Sequence, residues 1–156
     1  MSPQIIIMAI GVVVAMIALG SWFNTLKNQR ADKCLEALYD VVGLANRCLT
    51  LKLKNHPSER IWPAYDEAWN GHRKFAAAWA IMRRYYPKFD AEMPRRVSQL
   101  LLQTEDILAR VGPVTQSECD GITNELENVR GTVEGRLPPP SFWRTLWWRV
   151  CGVFGH

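Results

Sequence analysis

Two hydrophobic rhythms divide the chain. From Ile5 to Phe23 every residue is apolar or small, and no ionisable side chain occurs before Lys27. Beyond Lys27 apolar residues return mainly every third or fourth position. The first rhythm predicts a helix with no polar face. The second predicts a series of amphipathic helices with one face toward a shared core.

At about 1.5 Å per residue the first run makes a helix of roughly 28 Å, close to the ~30 Å hydrocarbon core of a bilayer. A helix satisfies its own backbone polar groups in lipid, and Gly11 and Gly20 are ordinary in such a segment. Trp22 closes the run where an amphipathic ring suits the headgroup layer. A cleaved signal peptide competes, because Ala18 and Gly20 are small residues before Ser21. The opening Met-Ser-Pro-Gln, however, lacks the Lys or Arg of such a signal. Gly11 and Ala15, one turn apart, leave room for another membrane helix, so a homo-oligomer is among the expected partners beside the lipid bilayer. Lys27, Arg30 and Lys33 follow the run, with Asp32 the one acid among them. The positive-inside rule then places the short tail (residues 1–4) outside and the body in the cytoplasm, as in a bacterial inner-membrane protein.

Residues 24–54 continue as helix without a proline, carrying Leu35, Leu38, Val42, Ala45 and Leu49 on a stripe and Cys34, Val41 and Cys48 beside it. Asn55-His56-Pro57-Ser58 breaks it. A second helix starts at Ser58 or just before Pro63 and ends at Pro87. One of its faces is dense in rings: Trp62, Tyr65, Trp69, His72, Phe75 and Trp79. Such rings either fill the core of a small bundle or form a docking surface for a protein partner, for which Trp62, Tyr65, Trp69 and Trp79 are the candidates. His72 on that face is expected to be a hydrogen-bonded core residue rather than a ligand or base. A third helix opens near Pro94, carries Val97 to Val111 and stops at Gly112-Pro113. A fourth opens with the capping box Thr115/Glu118 and carries Cys119, Ile122, Leu126, Val129 and Val133, with Gly131 and Gly135 weakening its end. Residues 24–137 are thus the bundle, and 138–140 a proline spacer.

The tail, 141–156, reads as an amphipathic helix too short to span. Trp143 and Trp147 lie on its apolar face and Arg144 and Arg149 off it, which suits a membrane interface. The fold class expected is therefore all-α: a single transmembrane helix continuing into an up-down bundle of about four helices, then a C-terminal interfacial helix. Up-down topology returns the basic, aromatic turn 83–96 toward the bilayer. Arg83, Arg84, Lys88, Arg95 and Arg96 there, with Trp22, are further membrane-interface candidates.

Charge and chemistry narrow the function. The net charge is +4, and two arginines lie in the tail, so residues 24–140 hold only +2, too little to point to nucleic acid. The four cysteines, Cys34, Cys48, Cys119 and Cys151, are widely spaced without CxxC, and no phosphate loop, HExxH or GxSxG occurs. No cofactor or metal is expected, and no enzyme. The expected function is a single-pass membrane-anchored interaction protein serving as an accessory or regulatory subunit. The alternative is a self-associating, membrane-acting protein with an exclusion, immunity or bilayer-perturbing role, working through its Trp/Arg tail. The run Trp22-Phe-Asn-Thr-Leu-Lys-Asn-Gln-Arg30, where an uncharged anchor enters a helical body, resembles LemA-type proteins over nine residues. The basic stretch that follows in that family is absent here, and the resemblance implies no function.

Overall fold

The computed structural model describes residues 3–86, 89 and 91–137, with only the backbone of 3–7 and 9. Among the described residues the chain is all-helical: α1 (Pro3–Leu53), α2 (Ser58–Arg83), α3 (Glu92–Ala109) and α4 (Gln116–Arg136). The proline spacer and the tail expected as an interfacial helix, with Lys88, lie outside the described residues. The compact unit holding the bundle is Ala31–Pro138, and α1 up to Arg30 belongs to the other unit.

Helix ends follow local chemistry. Asn55 takes a left-handed φ of 54° after α1, a conformation asparagine tolerates better than most residues. α2 begins at Ser58, with Pro57 extended before it. α3 begins at Glu92, two residues before the expected Pro94. Pro94 therefore sits within the first turn, where backbone N–H groups have no helical partner and its missing donor costs nothing. α3 ends at Ala109, because Arg110 is already extended ahead of Gly112-Pro113. Val111, expected on the third helix's apolar stripe, is consequently fully exposed. α4 has the reciprocal capping box: Glu118 N–H donates to the Thr115 hydroxyl at 3.4 Å and Thr115 N–H to the Glu118 carboxylate at 3.0 Å. The helix runs through Gly131 and Gly135 to Arg136, held by Cys119, Ile122, Leu126, Val129 and Val133, all buried. Packing outweighs the roughly 1 kcal/mol that each helical glycine costs.

Pairings between helices fix an up-down order. Arg47 and Glu67 line the same groove between α1 and α2, and Lys33 and Ile81 line another. Tyr65 meets Leu101 and His72 meets Pro94 across α2 and α3. Arg96 meets Glu125 across α3 and α4. Thr123 meets Asn46 and Glu134 meets Tyr39 across α4 and α1. The end of α3 meets α4 again at Arg110 and Glu118, so in each pair of helices rising numbers on one match falling numbers on the other. Ala31, Met82, Phe89, Met93 and Leu137 therefore close one end of the bundle, all buried. The α2–α3 turn and the end of α4 share that end with the entry of α1.

Candidate functional surfaces

The N-terminal part of α1 is apolar on every side. Val12, Val13, Val14, Met16, Ile17 and Leu19 point in all directions around a helix, and all are exposed. Exposure over this stretch runs from 50% at Phe23 to 73% at Met8. Soluble monomers rarely expose apolar patches beyond a few hundred Å². This is the one helix among the described residues long and apolar enough to cross a membrane. Trp22, at its end, packs edge-on against Phe23 with ring centres 5.6 Å apart.

The aromatic face of α2 divides. Trp79 is 1% exposed and Tyr65 3%, so their rings belong to the core and offer no outer surface. Trp79 lies between Phe75 and Phe89, with centroids 5.6 and 4.4 Å away. The Tyr65 hydroxyl lies 3.0 Å from the Leu101 carbonyl and 2.9 Å from a Glu105 carboxylate oxygen. Burial is the main reason its phenol is pushed well above its ordinary range. Trp62 and Trp69 are half-buried, packed against a cluster of Cys48, Ile61, Ala64, Tyr65 and Leu108. Trp69 also packs edge-on against His72, centroids 5.4 Å apart. His72 Nε2 donates to the Pro94 carbonyl at 2.9 Å; a carbonyl only accepts, so that nitrogen carries the proton. The ring is hydrogen-bonded, as expected, but half-buried rather than in the core.

The basic turn is mixed in the same way. Arg83, Arg84 and Tyr85 are exposed, whereas Phe89 is buried against Trp79 and Tyr86. Arg95 pairs with Glu92 at 3.7 Å and Arg96 with Glu125 at 2.8 Å, so both arginines also serve the helices that carry them. Trp143, Arg144, Trp147 and Arg149 lie outside the described residues, as does Lys88.

Cys34, Cys48 and Cys119 are free thiols, all buried. Burial pushes Cys34 up to about 12 and Cys48 to about 11, and raises Cys119. No cluster of three or more His, Cys, Asp or Glu able to hold a metal ion occurs among the described residues.

One surface escaped the sequence reading. Two adjoining cavities, of about 630 and 500 Å³, run along the α1–α2 face. The larger has Gly43, Leu44 and Gly71 in its lining, and the smaller Ala37, Ala77 and Ala78. Gly71 lies where the two helices come close, since a Cβ there would sit 3.0 Å from Val41 Cγ2. Gly43 is different: a Cβ there would meet nothing within 4 Å. The signal available in the sequence was opposite charges seven residues apart on both helices, Asp40 and Arg47 on one, Glu67 and Lys74 on the other. Set against known protein families, curated proteins and solved structures, the chain matches none of them.

Proposed function

We propose that this chain is a single-pass, membrane-anchored, non-catalytic interaction protein. It presents a helical bundle at the cytoplasmic face of a membrane, in the setting of a bacterial inner membrane, and serves a larger assembly as an accessory or regulatory subunit. One observation carries the reading. The same helix that is apolar on all sides up to Phe23 goes on, from Ala31, to supply a one-sided stripe to a bundle core. A helix of the first kind is stable in lipid and one of the second kind in water.

Orientation rests on Lys27, Arg30 and Lys33, which follow the apolar run directly. The non-catalytic part of the reading is supported by thiols held protonated and by a histidine tied to a backbone carbonyl. For a protein partner, the half-buried Trp62 and Trp69 are the residues to examine, since tryptophan is a common anchor for binding and these two keep part of their surface open.

The test is crosslinking in intact cells, mild solubilisation and identification of chains recovered in near-equal amount. A membrane or cytoplasmic protein whose recovery falls when Trp62 and Trp69 are both changed to Ala, with the melting curve preserved, supports the proposal. Recovery of this chain without any other protein contradicts the accessory-subunit role.

A further inference from the structure

Four exposed charged side chains surround the larger α1–α2 cavity: Asp40 and Arg47 on α1, Glu67 and Lys74 on α2. Each helix carries its pair seven residues apart, two turns or about 10.5 Å along one stripe. Asp40 and Lys74 line both cavities, whereas Arg47 and Glu67 line only the larger, so the pairs form two rungs across the groove. The signs alternate like a checkerboard: negative and positive on one rung, positive and negative on the other. Among the described residues none of the four has an ion-pair partner. Between the rungs lies Gly43, a mid-helix glycine that the bundle's own packing does not require. Leu44 and Ile81 add half-buried and exposed apolar surface along the same face.

Such a pattern is complementary to itself. Turned about a two-fold axis parallel to the helices, Asp40 of one copy faces Lys74 of the other and Arg47 faces Glu67. We propose that the α1–α2 face is the interface between two copies of this chain, paired in that way with Gly43 admitting the close approach. The choice of axis rests on the membrane-anchor reading. A two-fold across the helices would also match charges, Asp40 against Arg47 and Glu67 against Lys74. It would, however, send the two α1 helices in opposite directions, which two chains anchored in one bilayer cannot do.

The face spans about 20 Å by 20 Å at helix dimensions, or roughly 800 Å² counted over both copies. That is below the ~1,200 Å² at which stable interfaces begin. Pairing is therefore weak in dilute solution and is favoured where anchoring confines both copies and raises their effective concentration.

The experiment uses the full chain with Cys151→Ser, reconstituted in phosphatidylcholine/phosphatidylglycerol vesicles. One tagged copy carries Asp40→Cys and a differently tagged copy carries Lys74→Cys, and disulfide formation is induced with copper phenanthroline. The expected result is a mixed disulfide at least about tenfold more abundant than either homotypic one, as specific charge-matched pairing requires. Adding Gly43→Trp, which fills the groove from a position where a Cβ meets no neighbour, is expected to cut the yield about tenfold and leave the melting curve unchanged. Preferential crosslinking of Asp40→Cys to Arg47→Cys overturns the proposed axis. Retention of the chain in the bilayer under alkali without the mixed disulfide overturns the pairing while leaving the anchor standing. Extraction by alkali overturns the anchor and with it the argument for this axis.

Discussion

The two parts of α1 make the most instructive comparison in the molecule. Residues 8–23 are apolar on every side, with each described apolar side chain exposed. Residues 31–53 bury Ala31, Cys34, Leu38, Val41, Val42, Ala45, Cys48 and Leu49 on one side and turn Lys33, Glu36, Asp40, Gly43 and Arg47 outward. Both are regular helix, so backbone propensity does not separate them. The difference is the solvent each part suits: on the proposed reading hydrocarbon surrounds the first, while the second has a protein core on one face and water on the other. Stability of the bundle and residence in the membrane should therefore respond to different substitutions.

The sharpest break is to charge the first part. Val13→Arg with Ile17→Arg is expected to cost about 5–7 kcal/mol of insertion free energy, at roughly 2.5–3.5 per charge near a helix centre. Alkaline extraction should find this variant in the soluble fraction with the helical melt of the bundle retained. The converse substitution is Trp79→Ala. It removes a fully buried ring between Phe75 and Phe89 and is expected to destabilise the bundle by about 3–5 kcal/mol in denaturant titration, with membrane retention unchanged.

Smaller effects sharpen the picture within the bundle. Gly71→Val forces a branched side chain against Val41 and is expected to cost about 1–3 kcal/mol, while Gly43→Val, facing open space, should leave the melt near wild type. Smaller still is the α4 cap. Thr115→Ala is expected to cost about 1 kcal/mol. The capping N–H and hydroxyl of Thr115, followed by the Arg110 guanidinium, hold the Glu118 carboxyl down at about 2. An unfolded glutamate titrates near ~4.3, so this contribution is present above that pH and is lost as pH falls toward 2. Melting temperature should therefore fall across that interval, and less steeply in Glu118→Gln.

Much of this was legible in the residues because single features dominated. Nineteen residues without charge announce a helix long and apolar enough to span a membrane, and Thr115 with Glu118 three residues on announces a helix start. The α4 stripe reads cleanly because it has one apolar face. α2 misleads because its large rings draw the eye to the α3 flank. Its small residues Ala64, Ala68 and Gly71 are as deeply buried, and at Gly71 the backbone of α1 comes close. Small side chains give a weak hydropathy signal, and close backbone approach leaves none. The groove was hidden for a related reason. It depends on which residues of two helices share a level, and that register is set by packing rather than by either helix alone. Val111 shows the limit of periodicity: the stripe continues past the point where Gly112-Pro113 ends the helix.

The central claim is that one helix serves two solvents, and cysteine labelling along α1 tests it most directly. In a Cys151→Ser background, single cysteines at Val13, Val14 and Ile17 would be compared with a single cysteine at Thr50, which is exposed and lines neither cavity, using a polar maleimide on sheared, open membranes. The buried native thiols provide the unlabelled baseline. The account predicts rapid labelling at position 50, and none at 13, 14 and 17 until detergent is added. Equal labelling at both sets in intact bilayers would contradict it.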